Sequence, residues 1–224
     1  MLLMDGDDQF GAARTAYQTL RAAGAIGPML LVGVGYGATY RRPANKRIRD
    51  YTPTPLPTES ESGQVSAFLA FLTETLMPAL AKRYPLRDDG RGIGGHSLGA
   101  LVALQALVEP QPAFTHYFAS APSLWWDDRS PLRKLAERQA RSVVLPAKLF
   151  LGVGSNDSES MLSDLSLLEN QLAAQPFEQL SVTCRRYPGR DHYDVLPEAF
   201  REGLTVLFSS LVVGDRTSEA ASPH

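Results

Sequence analysis

Gly95-His96-Ser97-Leu98-Gly99 sets a serine midway between two glycines. That spacing suits a sharp turn from a strand into a helix, where the glycines let the backbone close up and the serine hydroxyl stands free as a nucleophile. With 18 glycines in 224 residues the pattern has little specificity by itself, so its flanks must decide. Gly92-Ile93-Gly94-Gly95 reads as a short buried strand, and Ala100 to Leu107 reads as a helical run, which together supply the strand, turn and helix. The plain alternative is a glycine-rich turn that packs a helix on a sheet.

A serine hydroxyl is a weak nucleophile until a base takes its proton, and the sequence has four histidines to choose from. His96 is expected to point away from the serine, His116 opens a candidate strand, and His224 ends the chain. His192 is left, in the turn Tyr187-Pro188-Gly189-Arg190-Asp191-His192-Tyr193 after the last candidate strand. An orienting acid should fall between serine and histidine, and Asp157 fits in Gly154-Ser155-Asn156-Asp157-Ser158-Glu159. Glu159 could take its place, and Asp157 could instead cap a helix. Asp191 and Asp194 lie too close to His192 in sequence to reach its ring. For the oxyanion, backbone N–H groups suffice: Leu98, which follows the nucleophile, and Asp7, in the loop after Leu2-Leu3-Met4. Asp5, Asp7 and Asp8 could alternatively hold a hard cation, but no further carboxylate cluster supports it, and neither a metal nor a cofactor is expected.

The elements that must position these groups alternate along the chain. Candidate strands are Leu2 to Met4, Met29 to Val34, Gly92 to Gly95, Thr115 to Ala119, Lys148 to Val153 and Ser181 to Tyr187. Candidate helices are Phe10 to Ala23, Gly63 to Arg83 with a kink at Pro78, Leu98 to Val108, Pro131 to Arg141, Met161 to Ala174 and Pro197 to Leu211. This alternation predicts an α/β fold, a doubly wound and mostly parallel sheet. Residues 1–213 are expected to form a single domain and residues 214–224 a disordered tail. Tyr36 to Glu61, with Pro43, Pro53, Pro55 and Pro57, is expected to lack helix and strand.

Composition narrows the function classes. A mass of 24.4 kDa, 44% hydrophobic and 21% charged residues describe an ordinary globular domain. A net charge of -2 and a pI near 6.1 offer no general attraction to nucleic acid or to an anionic membrane, and neither is an expected partner. The single cysteine, Cys184, excludes an internal disulfide, and no apolar run approaches the roughly 20 residues of a membrane-spanning helix. Met1-Leu2-Leu3-Met4-Asp5 has no secretory signal, so the chain as written is expected in the cytoplasm, or in the periplasm if a signal precedes it.

Taken together these segments resemble the esterase family of α/β-hydrolases that includes the esterase D type, the mycolyltransferase antigens and the enterobactin-type siderophore esterases. The likeness covers nearly the whole chain. Leu3-Met4-Asp5-Gly6-Asp7 is similar to the family's oxyanion segment, Gly94 to Ala100 to its nucleophile elbow, Ala121-Pro122-Ser123-Leu124-Trp125-Trp126 to its Ser-Pro-Ser-Leu-Trp-Trp segment, and Tyr187 to His192 to its histidine turn. Arg49-Asp50-Tyr51-Thr52-Pro53-Thr54 resembles a segment of the siderophore esterases, which cleave the ester linkages of iron-scavenging trilactones. Two departures are Ala121 in place of serine and Ala100 in place of a second glycine. The resemblance also implies strands before Leu2. Without them Met29 to Val34 would be an apolar sheet edge, expected to pair with another copy of the chain or to be covered by Tyr36 to Glu61.

The resulting expectation is a serine esterase acting on a small soluble ester through an acyl-enzyme, with a trilactone-type siderophore ester as one candidate. Arg41, Arg42, Lys46, Arg47 and Arg49 would form a basic rim for an anionic substrate, with Arg47 and Arg49 as contacts, or else a solvated loop. Trp125 and Trp126 would stack on an aromatic acyl group, although one of them is expected in the core. Two rivals stand beside this reading. A non-catalytic binding protein could share the fold. Gly33-Val34-Gly35-Tyr36-Gly37-Ala38 formally matches a dinucleotide fingerprint, but it runs into Pro43 where a helix should open.

Overall fold

In the computed structural model, which describes residues 1–87 and 89–209, short apolar runs become the strands of one six-stranded parallel sheet. In chain order they are β1 (Leu2–Leu3), β2 (Val32–Gly33), β3 (Gly92–His96), β4 (His116–Ser120), β5 (Val144–Gly154) and β6 (Glu178–Tyr187), arranged β2-β1-β3-β4-β5-β6. β3 and β4 are buried at every position, as a strand must be when helices cover both faces of its sheet. Side chains along a strand alternate between faces, so neighbours enter different cores. Leu2, Met4, Tyr117, Ala119, Leu149, Leu151 and Val153 pack on one face, whereas Leu3, Phe118 and Phe150 pack on the other.

The helices divide in the same way. α1 (Gly6–Ala22) and α8 (Leu196–Phe208) share the Phe118 face, where Phe118 stacks on Phe150 at 5.5 Å and on Phe200 at 4.9 Å. The other face carries α2 (Arg47–Tyr51), α3 (Val65–Ala70), α5 (Leu98–Val108), α6 (Trp126–Arg141) and α7 (Glu159–Ala174). A π-helical stretch, Phe71–Leu76, joins α3 to α4 (Met77–Ala81). The predicted kink at Pro78 therefore appears ahead of the proline: its ring crowds the carbonyl four residues back, and the widened turn relieves this, with Met77 N–H reaching Leu72 C=O.

Two expectations need correction. Tyr36 to Glu61 is not wholly irregular, because α2 forms inside it, held by the Arg47 N–H bond to Asn45 Oδ1 (3.1 Å) and by Thr52 Oγ1 donating to Ile48 C=O (2.7 Å). Of the predicted strand Met29 to Val34 only Val32–Gly33 is strand, paired with β1 and, among the described residues, with no other strand. Val32 lines two cavities, of about 800 and 360 Å³, and the larger is also walled by Tyr36, Arg49, Asp50, Ser60 and Glu61 of the following loop. After β2 the chain runs through a loop rather than a helix, contrary to a dinucleotide site. The predicted tail and the last residues of the final predicted helix lie outside the described residues. No helix among the described residues is long and apolar enough to cross a membrane.

Burial of one histidine ties the fold to pH. His116 is 8% exposed and stacks on Phe208 at 4.9 Å. Burial first, then the Lys148 charge, lowers its pKa to about 4. The unfolded chain titrates near 6.5, so as pH falls the unfolded state takes up this proton first. The contribution is complete above about pH 6.5 and is lost on acidification toward 4, to the extent of roughly 2–3 kcal/mol. His116→Phe is therefore expected to flatten the fall in melting temperature between pH 7 and 4.5. An unchanged slope would remove His116 from the account.

Candidate active site

The chain leaves β1 outward to β2 and then crosses to β3 on the opposite side, so a crevice opens where the carboxyl ends of β1 and β3 diverge. Ser97 sits there, between β3 and α5, at φ 59° and ψ −122°. An L-residue holds such a backbone only under strain, and two glycines make the turn fit. A Cβ on Gly95 would lie 2.5 Å from the Gly99 carbonyl, and one on Gly99 would lie 2.9 Å from Asp5 Oδ2.

Asp157 follows β5 and His192 follows β6. Their loops are stitched together by Ser155 N–H to Tyr187 C=O (2.9 Å), Asn156 N–H to Arg190 C=O (2.8 Å) and Gly189 N–H to Ser155 Oγ (2.8 Å). The result is a 2.8 Å contact between His192 Nδ1 and Asp157 Oδ2, with the Asp157 side chain 4% exposed. Asp157 is not the cap of α7; Ser158 is, accepting from Met161 N–H. Glu159 is exposed in the first turn of that helix. Asp191 closes its own turn, accepting from the N–H groups of Tyr193 (2.8 Å) and Asp194 (2.9 Å); these bonds hold its carboxyl below the usual range.

Ser97, Leu98 and His192 line one cavity of about 830 Å³. The Ser97 hydroxyl pairs with Ser123 Oγ at 3.2 Å rather than with His192, a separation that substrate binding commonly closes. His96 does not point away from the site. Its ring lies 4.5 Å from that of His192, its Nδ1 meets Ser120 Oγ at 3.1 Å, and among the described residues its Nε2 has no hydrogen-bond partner. Burial first, then the neighbouring His192, holds its pKa well below the ordinary imidazole range, so it stays neutral beside the His192 ring. Neither Ser123 nor His96 was singled out by sequence, because each meets the site through contacts that no local spacing displays.

Asp7 does not line the cavity: its carboxylate accepts the Tyr36 N–H at 2.6 Å, and its own N–H belongs to the first turn of α1. Asp8 accepts from Tyr40 N–H, and Asp5 is held by Arg47 through two bonds of 2.9 Å, so these carboxylates have protein partners. Burial raises the Asp5 pKa, and Arg47 opposes it.

The basic rim is rearranged by the same contacts. Arg47 lines the cavity, but its charge is paired with Asp5 and its guanidinium lies over the Tyr40 ring at 4.6 Å. Arg49 is paired with Asp50, and Lys46 with Glu61. Arg41 and Arg42 line the cavity exposed, with no ion pair among the described residues. Of the two tryptophans, Trp126 is core, 3% exposed and donating to Thr54 C=O at 3.0 Å, and Trp125 is exposed but outside the cavity lining. Arg47→Ala is expected to cost about 3–5 kcal/mol by leaving Asp5 charged and buried. Urea unfolding measures this, and a loss below about 1 kcal/mol would show that Asp5 is satisfied otherwise.

Comparison with known proteins adds an independent line. The family model described as "Putative esterase" matches residues 1–196. The ferri-bacillibactin esterase BesA of Bacillus subtilis is 29% identical over 214 residues, covering 87% of this chain and 73% of the relative. The siderophore triacetylfusarinine C esterase of Aspergillus fumigatus is 33% identical over 130 residues, 56% of this chain and 44% of the relative. This chain thus spans less than half of that fungal protein. The crystal structure of the BES protein from Bacillus cereus superposes with a TM-score of 0.82 at 27% identity, covering 92% of this chain and 81% of that one.

Proposed function

The chain belongs to the esterase family of α/β-hydrolases and is a serine-type carboxylic ester hydrolase, and from that premise we propose that Ser97, His192 and Asp157 carry the reaction on a siderophore ester. The 2.8 Å Asp157–His192 contact, beside a strained Ser97 in a shared cavity, is the observation that carries this reading.

The chemistry follows from the groups. Ser97 Oγ attacks the ester carbonyl carbon while His192 Nε2 takes its proton, and Asp157 holds Nδ1–H and stabilises the imidazolium. The tetrahedral oxyanion accepts from backbone N–H groups. Leu98, which lines the cavity at the start of α5, is the proposed first donor, and Asp7, outside that lining but with its amide in the first turn of α1, is the proposed second, since no carbonyl within a helix reaches its first-turn amides. Collapse expels the alcohol with the proton from His192. Water, deprotonated by the same ring, then releases the acid from Ser97.

A siderophore ester as substrate is supported by the names of the relatives and by the rim charges of Arg41 and Arg42, which have no ion pair among the described residues. A fluorophosphonate probe should label Ser97 and no other residue, and a ferric catecholate trilactone should be hydrolysed faster than simple aryl esters. Labelling without trilactone turnover would keep the esterase and discard the substrate.

Because Arg47 and Arg49 are neutralised, long-range attraction falls to Arg41 and Arg42. The kcat/KM of an anionic ester should fall as salt rises to about 0.5 M while that of a neutral ester holds steady, and joint Arg41→Ala and Arg42→Ala replacement should flatten the response. Equal salt responses for the two esters would reduce this rim to solvated charge.

A further inference from the structure

Ser123 lies in the loop after β4 and is 1% exposed. The loop is held tightly, with Ala121 N–H on Gly152 C=O (2.6 Å), Ser123 N–H on Ser97 C=O (3.3 Å) and Trp126 N–H on Ser123 C=O (3.1 Å). Among the described residues its hydroxyl has one hydrogen-bond partner, Ser97 Oγ at 3.2 Å.

The direction of that bond follows from burial. A hydroxyl enclosed in protein must place its proton on an acceptor or lose a hydrogen bond, and among the described residues Ser123 has Ser97 Oγ as its one partner. Ser97 is half-buried and faces the cavity, so its proton has water or His192 to go to. The arrangement that satisfies both hydroxyls has Ser123 donating and Ser97 accepting, with the Ser97 proton left for the base.

We propose that Ser123 is a further catalytic residue, a fixed hydrogen-bond donor to the nucleophilic oxygen. It rests on Ser97 being the nucleophile. As His192 withdraws the Ser97 proton, negative charge grows on Oγ until the bond to the carbonyl carbon is complete, and a donor already in place strengthens with that charge. In deacylation the electron pair of the Oγ–acyl bond returns to Oγ as His192 delivers a proton there, and the same donor serves. Ser123 itself gains and loses no proton.

The test compares Ser123→Ala and Ser123→Thr with wild type in aryl ester turnover, rate of fluorophosphonate labelling at Ser97, and melting temperature. Removing the donor should lower kcat and the labelling rate roughly tenfold to a hundredfold, with KM within about twofold and the melting temperature little changed. Threonine, which keeps the hydroxyl, should recover most of the loss. If the alanine variant folds poorly, Ser123→Cys keeps the shape with a weak donor and should show the rate loss alone. Wild-type rates in Ser123→Ala or Ser123→Cys, or equal losses in Ser123→Ala and Ser123→Thr, would overturn the proposal. Absence of labelling in the wild type would instead refute the assignment of Ser97.

Discussion

Ser97→Ala is expected to lower kcat for an aryl ester by roughly 10⁴–10⁶-fold and to abolish fluorophosphonate labelling. The size of the effect comes from the loss of the covalent route, which leaves only binding and backbone donors to speed attack by water. The fold should survive, because the backbone at Ser97 is held by its N–H bond to Ser120 C=O (2.9 Å) and by its C=O, which accepts from Ala100 N–H (3.1 Å). A second variant separates chemistry from architecture. At φ 59° and ψ −122° a β-carbon is strained, so Ser97→Gly should be equally inactive yet more stable, by about 1 kcal/mol. Hydrolysis at the wild-type rate by Ser97→Ala would end the acyl-enzyme reading.

The second large effect belongs to the acid. Asp157→Asn should reduce kcat about 10²–10⁴-fold with KM nearly unchanged, because it removes the charge that stabilises the His192 imidazolium and the acceptor that fixes its tautomer. Asparagine is nearly isosteric, and its amide oxygen can still accept from Ser158 N–H, now at 2.7 Å from Asp157 Oδ1, so stability should change little. Glu159→Gln, at an exposed position on α7, should stay within about twofold of wild type. A glutamate variant more damaged than the aspartate one would transfer the role to Glu159.

Much of this candidate site was legible along the chain because its residue patterns are local. The elbow is a five-residue pattern, His192 was the histidine left in a loop after the last strand, and Asp157 followed a strand in the required order. The sheet was legible for a related reason. Leu149, Phe150 and Leu151 belong to a run that reads as strand wherever it is placed, and parallel strands with both faces covered need no finer pattern.

Tertiary structure alone decided which charges and rings are available. Arg47 and Asp5 stand 42 residues apart in sequence, and their pairing neutralises the charge of a residue that lines the cavity. Trp125 and Trp126 are adjacent and chemically identical, yet Trp126 is core, its indole N–H donating to Thr54 C=O from 72 residues away in sequence, and Trp125 is exposed. Ser123 met Ser97, and His96 met His192, only when β3, β4 and β6 brought their carboxyl ends to one crevice. Composition and spacing specify which functional groups exist and how each segment folds, since those are properties of neighbouring residues. Burial, charge neutralisation and the direction of a hydrogen bond depend on partners that come close only through the fold, and these determine which groups act.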